Sequence, residues 1–157
     1  MRIGHGFDIH RVSDDSSRVL WLGLVEIPGG PGLVGHSDAD VVTHALCDAL
    51  LGAANLGDLG RHFPDSDPQF ANVSSRSLLE TTAGLVAAEG LRISSADITV
   101  VAERPRLSPF MPLMSTLLSE IVGTTVSVKA TTAEGLGALG RAEGIAATAV
   151  VLLEEVQ

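Results

Sequence analysis

Aromatic side chains are nearly missing from this chain, which has four Phe, one Trp and no Tyr among 157 residues. Its core must therefore be built from Ala, Val, Leu and Ile. Cysteine occurs once, at Cys47, which excludes an internal disulfide and any thiolate metal cluster. Cys47 falls in a small-residue helical pattern and reads as a buried structural thiol. Lysine also occurs once, at Lys129, and the net charge is −9; a basic surface for nucleic acid is not expected. No apolar run reaches the ~18 residues that a membrane span needs. The opening MRIGHGFDIH has no apolar signal core and lacks Arg- and Ser-rich transit character, so a cytoplasmic protein is expected. An anionic ligand would be repelled by so acidic a chain. Arginines, helix N-termini or bound metals would have to offset that repulsion.

What remains is a chain long enough for one domain with a real core. Residues 1–10 read as a strand, and VLWLGLVEI (19–27) as a second, ended by the PGGPG turn. Val41, Val42, Ala45, Leu46, Ala49, Leu50 and Ala53 follow helical spacing. Ser37 followed by Asp40 gives the S-x-x-D start signal for that helix, and Gly57 lies just past its end. Residues 61–75 are turn-rich. A helix over 75–89 is closed by Gly90, and DITVVA (97–102) reads as a strand. Phe110 to Val122 carry a third helical pattern, and 126–130 and 145–153 read as two final strands. This order predicts an α+β domain in which helices cover one face of a β-sheet.

The residues that could carry chemistry begin with GFDIHRV. A strand sends residues i and i+2 to the same face, so Asp8 and His10 point together. With His44 from the first helix they would give a metal three protein ligands and leave one position open, as a catalytic zinc requires. Spacing alone leaves the plainer alternative of hydrogen-bonded histidines. Asp48, four residues after His44, could hold that imidazole in one tautomer, or be a solvated helix-face carboxylate. His36 and Ser37 precede a helix N-terminus, whose free N–H groups favour phosphate; Ser37 also reads as the N-cap. GLGALG (135–140) matches the dinucleotide-binding glycine pattern, but too little chain follows for the helix and parallel strand that fold needs. ATTAE (130–134) places two hydroxyls and a carboxylate at a strand end, which suits phosphate oxygens and a hard divalent ion or is simply a Thr-rich strand end.

Three long stretches, RIGHGFDIHRV, GHSDADVVTHALCDALLGAANLGDLGRHFPDSDP and VKATTAEGLGALGRAEGIA, closely resemble the 2-C-methyl-D-erythritol 2,4-cyclodiphosphate synthase family. The resemblance runs from residue 1 to about 153, in order and in register. It implies zinc on Asp8, His10 and His44, and a second divalent ion, magnesium or manganese, held by Glu134 with the substrate's diphosphate. It implies that His36 and Thr132 position phosphates and stabilise the transition state. Asp8, Ile9 and His10 match substrate-binding positions, Ser37, Asp58, Leu59 and Gly60 the pocket for the methylerythritol phosphate, and Phe63, Pro64, Asp65, Ser66 and Asp67 a substrate-contacting loop. Ala102, Glu103, Arg104, Pro105, Arg106, Leu107 and Ser108, with Ala130 and Thr131, match the cytidine pocket, and Ala133 a further substrate-binding position. Ala138 and Arg141 match further substrate-binding positions, and Arg141 and Glu143 match positions near a threefold axis, because the family assembles as a homotrimer with sites between subunits.

The reaction so implied closes a ring. The 2-phosphate of 4-diphosphocytidyl-2-C-methyl-D-erythritol 2-phosphate attacks its own β-phosphorus and CMP leaves, a step of non-mevalonate isoprenoid synthesis that needs no enzyme nucleophile. Some positions depart from the family pattern. Arg106 stands where lysine is common, Ala133 and Gly135 where threonine and lysine are frequent, and Ala138 where a phenylalanine lines a central cavity. A fused family form carries a cytidylyltransferase as well, for which this sequence has no room. The rival readings are a non-catalytic trimeric module binding isoprenoid diphosphates and a zinc phosphatase using a metal-bound water. The retained Asp8, His10, His44, Thr132 and Glu134 argue against the first, and the lack of a bridging carboxylate cluster against the second.

Overall fold

In the computed structural model, which describes residues 1–64, 67 and 73–156, the first strand decides where everything else lies. β1 (Arg2–Arg11) alternates its side chains between two faces. On the even face it carries glycine twice. A Cβ at Gly4 would fall 1.9 Å from the Ala49 carbonyl oxygen, and one at Gly6 would fall 2.0 Å from that of Ala45. Both contacts are to the backbone of α1 (Val41–Ala54), so the helix lies directly on the strand and glycine alone fits there. Asp8 and His10 continue the same face beyond this contact, toward the helix N-terminus.

The helix starts three residues later than a Ser37 cap would place it. Asp40 is the N-cap: its Oδ1 accepts the N–H groups of Val42 and Thr43, each at 3.1 Å. The same carboxylate accepts Gly23 N–H and Leu24 N–H at 2.8 Å and the Thr43 hydroxyl at 2.7 Å. Those donors outweigh the local S-x-x-D signal, and Ala39 at φ 57 breaks any helix before Asp40. The first helical N–H groups are thereby used internally, so this helix end does not offer them to a phosphate. Helix α1 stops at Asn55, which takes the left-handed conformation at φ 62.

Residues 19–27 fold as a hairpin rather than one strand: β2 (Trp21–Leu22) pairs with β3 (Val25–Glu26) around a turn at Gly23 and Leu24. There follow α2 (Leu59–His62), α3 (Ser75–Ala88), β4 (Leu91–Val101), α4 (Met111–Val122), β5 (Val126–Thr131), α5 (Gly137–Gly140) and β6 (Gly144–Glu155). Strand β4 begins well before the expected residue 97, because it pairs with β6 from Leu91 opposite Glu155 onward.

The main sheet runs β1-β6-β4-β5, antiparallel except for the parallel β4–β5 pair. Helix α4 makes the crossover that a parallel pair requires. Helix α1 packs on β1 and β6, α3 on α1, and α4 on β5, so helices cover one face. The predicted α+β arrangement is the observed one. On the other face Ile3, Phe7, Ile9 and Val150 are exposed, Ile3 by 75%. No helix among the described residues is long and apolar enough to cross a membrane.

Cys47 is fully buried in α1, and burial pushes its thiol up to about 12. At pH 8 a thiol reagent should therefore leave the folded chain unlabelled and modify one group per chain after denaturation. Rapid native labelling would contradict the packing of α1.

Candidate metal centre

The contact between α1 and the glycines of β1 delivers His44 to Asp8. Asp8 Oδ2 lies 3.0 Å from His44 Nδ1 and 3.2 Å from His10 Nε2. One donor atom from each residue falls within 4.8 Å of the others. Burial alone would raise the Asp8 carboxyl, but hydrogen bonds from His10 and His44, and their charge, hold it well below the usual carboxylate range. The Asp8 hydrogen bond in turn raises His10, against the opposing effect of burial.

Each imidazole is also held from behind. His10 Nδ1 bonds the Val34 carbonyl oxygen, which leaves Nε2 facing Asp8. His44 Nε2 lies 3.0 Å from Ser75 Oγ and 3.3 Å from Ser37 Oγ. Two imidazoles and a carboxylate, oriented by outer partners and open to a hollow, fit a divalent ion with a position left for substrate. Asp8, His10 and His44 could hold a metal.

Without metal, the Asp8–His10 pair links stability to pH. Because His10 is raised in the folded state, its contribution is complete below the unfolded value of about 6.5 and disappears as pH rises through the folded value. Asp8 acts oppositely: its contribution is present above about 3.9, the unfolded value, and is lost only as pH falls through the depressed folded one. Thermal unfolding of chelator-treated protein should therefore show a falling Tm above about pH 6.5. A flat profile across that window would contradict the pairing.

The hollow beside the triad is lined by His36, Ser37, Asp48, Leu59, Gly60 and Phe63, among others. Arg18 fixes the segment that carries His36: its Nη2 donates to the carbonyl oxygens of Gly35 at 2.8 Å and Ser37 at 2.7 Å. Asp58 caps α2 by accepting Arg61 N–H at 2.9 Å. Asp48 corrects an expectation, since its carboxylate accepts Leu59 N–H at 2.8 Å and the His44 ring is held by Ser75 instead. It is no solvated carboxylate either, because burial raises it. Asp67 donates its N–H to Pro64 O; Asp65 and Ser66 lie outside the described residues. Ile9 sends its side chain to the opposite face, while its N–H donates to Asp8 Oδ1 at 2.9 Å.

A second hollow is lined by Ala102, Glu103, Pro105, Arg106, Leu107 and Ser108 with Ala130, Thr131 and Thr132. Arg104 is exposed and does not line it. Arg106 Nε donates to Ser108 Oγ at 2.9 Å. The Glu103 carboxylate is occupied, accepting Ala133 N–H at 2.8 Å and Gly135 N–H at 3.4 Å. It thus ties this loop to the turn where Thr132 Oγ1 donates to Glu134 Oε1 at 2.9 Å and Glu134 sits at φ 51. Ala138 lies in α5, and Arg141 just after it pairs with Glu143 at 2.6 Å.

The two hollows share no lining residue. Asp8 pairs with Ala147, Ala147 with Val100, and Val100 with Ala130. Three strand spacings, about 14 Å, therefore separate Asp8 from Ala130 in one chain.

Ser75, Asp38 and Arg18 touch or brace this centre, yet the sequence reading singles out none of them as a site residue. Ser75 reads from the sequence only as a helix start, and Asp38 stands without a role inside the GHSDADVVTHAL stretch. The one available signal was Asp38 itself, an acidic residue two positions from each of His36 and the helix cap Asp40.

The geometry agrees with comparisons across known proteins. A family model described as the YgbB family matches residues 1–154. A protein of Desulfatibacillum aliphaticivorans named 2-C-methyl-D-erythritol 2,4-cyclodiphosphate synthase is 53% identical over 98% of this chain and 100% of its own length. The bifunctional IspDF of Campylobacter jejuni superposes with a TM-score of 0.93 at 39% identity, over 99% of this chain and 42% of that one. A Plasmodium falciparum IspF in complex with CDP has a TM-score of 0.86 at 31% identity, covering 99% and 97% of the two chains. With the fold, the metal-ligating triad and full-length identity in agreement, the chain belongs to the YgbB family of 2-C-methyl-D-erythritol 2,4-cyclodiphosphate synthases.

Proposed function

We propose that this chain converts 4-diphosphocytidyl-2-C-methyl-D-erythritol 2-phosphate to 2-C-methyl-D-erythritol 2,4-cyclodiphosphate and CMP, in the cytoplasm and as one domain. An oxygen of the 2-phosphate forms a bond to the β-phosphorus. The bond from that phosphorus to the oxygen bridging the α-phosphate breaks, and that oxygen leaves on CMP. The carrying observation is the convergence of Asp8, His10 and His44 on one point beside a hollow.

Asp8, His10 and His44 would hold zinc, and Glu134 would hold magnesium or manganese with the substrate's diphosphate. When bound, such ions neutralise phosphate charge and polarise the phosphorus–oxygen bonds. The chain's own groups position the reactants, which is most of what phosphoryl transfer asks. His36 would bring an imidazole to oxygens that gain charge, on a segment that Arg18 braces. Thr132 would bring a hydroxyl to the same oxygens from beside Glu134. Ser37, Asp58, Leu59, Gly60 and the 63–67 loop would receive the methylerythritol phosphate. The 102–108 loop, with Ala130 and Thr131, would receive cytidine, and Ala133 would touch the substrate beside it; the bound CDP of the Plasmodium relative offers a parallel.

We read the working assembly as a homotrimer with sites shared between subunits. Two features support it: the two hollows of one chain are separate, and an apolar face with Ile3, Phe7, Ile9 and Val150 stands exposed on the sheet.

The test is CMP release from that substrate, with zinc and magnesium varied independently. Stoichiometric CMP and cyclic diphosphate, lost on zinc removal and restored by its return, are expected. Glu134→Ala should blunt the response to magnesium and leave zinc bound. Turnover that persists without divalent ions would overturn the reading.

A further inference from the structure

His44 is held by a two-step hydrogen-bond chain that comes from another helix. Ser75, the first residue of α3, is completely buried. Its Oγ lies 3.0 Å from His44 Nε2 and 2.5 Å from Asp38 Oδ1, while its backbone N–H donates to Asp38 Oδ2 at 2.8 Å. A hydroxyl has one proton to give, and an ionised carboxylate can only accept. The Ser75 proton therefore goes to Asp38, and Ser75 turns a lone pair toward His44. Only an N–H at Nε2 completes that contact. The ring's other nitrogen, Nδ1, faces Asp8 Oδ2 at 3.0 Å, where the donor atoms converge, and the proton it donates there without metal is the one an ion would displace. Ser37 Oγ stands farther from Nε2, at 3.3 Å, and already accepts Ala39 N–H.

We infer that Asp38 and Ser75 are positioning residues for the metal centre, acting through His44 to keep a proton on Nε2 and reserve Nδ1 for the ion. The inference rests on the metal-binding reading of Asp8, His10 and His44. It also sets an order between two variants that simple loss of packing would not produce. In Asp38→Asn the side chain keeps its size, and its amide oxygen can still accept Ser75 N–H. Its NH2 then faces Ser75 Oγ as a donor. Ser75 must turn its own proton toward His44, which calls for a lone pair at Nε2 and sends the ring proton to Nδ1. The opposite amide orientation sets NH2 against the Ser75 N–H, donor against donor. Ser75→Ala removes the link but imposes no wrong tautomer.

The experiment measures zinc affinity of the metal-free chain by competition with a chromogenic chelator, for wild type, Asp38→Asn and Ser75→Ala. Exchange of the His44 Nε2–H in zinc-loaded wild type is followed by 15N NMR. Expected losses are about 100-fold for Asp38→Asn and about 10-fold for Ser75→Ala, the range seen for outer partners of metal ligands. Both variants should remain folded by circular dichroism, and the wild-type Nε2–H should be protected. Affinity of Asp38→Asn within twofold of wild type, or a greater loss in Ser75→Ala, would overturn the inference. So would a zinc-loaded wild type without a protected Nε2–H, an outcome that decides even where a variant fails to fold. A wild type that takes up no zinc instead overturns the metal reading, so the two failures are told apart.

Discussion

Gly6→Ala should yield a chain that loses stability and metal together. The added Cβ would sit 2.0 Å from the Ala45 carbonyl oxygen and 2.7 Å from Ala49 N. Both are helix backbone atoms, which cannot rotate aside as a side-chain tip can. Overpacking a core costs typically 1–3 kcal/mol, and a clash between two backbones belongs at or above the top of that range, about 3 kcal/mol. For a chain of this size that is a fall in Tm of about 10 °C. Relief requires α1 to lift from β1, and His44, the residue before Ala45, lifts with it away from Asp8. Thermal unfolding and zinc titration of the metal-free protein test both halves of this expectation. Gly52→Ala is the control, since nothing lies within 4 Å of its Cβ position and it sits inside α1. That change should leave zinc binding alone and raise stability by up to about 1 kcal/mol. A Gly6→Ala protein melting within 2 °C of wild type, a margin about the size of a ~1 kcal/mol effect, would refute the backbone contact.

His44→Ala should abolish zinc uptake and CMP release while the fold persists. The substitution removes one of three converging donors and leaves Asp8 and His10, too few to hold the ion tightly. It also strips Ser75 of one partner, at about 1–3 kcal/mol. The space vacated adjoins an open polar hollow, so water can replace part of the lost contact. Activity should fall by at least about 10²–10³-fold, the scale of losing one preorganised electrostatic contact. Turnover near wild type in metal-free buffer would defeat the assignment, and a collapsed circular dichroism spectrum would instead make His44 a folding residue.

Much of this was legible from the chain because the signals were local. The alternation of RIGHGFDIHR and the helical spacing after Asp40 each report their own element. Asp8 with His10 was readable from period two alone. His44 could be joined to them only as one of two open readings, because only the Gly4 and Gly6 contacts show why the helix comes close enough. The misreadings share one cause, which is a distant partner. Ser37 looked like the cap because S-x-x-D is local, whereas Asp40 is recruited by the hairpin turn at Gly23 and Leu24. Asp48 had two readings, as a partner of His44 by the i+4 rule or as a solvated carboxylate, whereas the residue that meets His44 Nε2, Ser75, lies 31 residues away. The first half of β4, LRISS, alternates only as far as Ser94 before the period breaks at Ser95, where its pairing with β6 also shifts register, and that pairing is what makes it a strand.

The separation of the two hollows has a genetic consequence on the shared-site reading. Consider two inactive alleles, one altered at His44 and the other in the 102–108 loop. Neither protein alone can assemble an intact site. In a mixed assembly, the undamaged metal side of one chain can meet the undamaged nucleotide side of the other. The two alleles would then complement within a single gene, and a cell carrying both would regain part of the activity that each lacks.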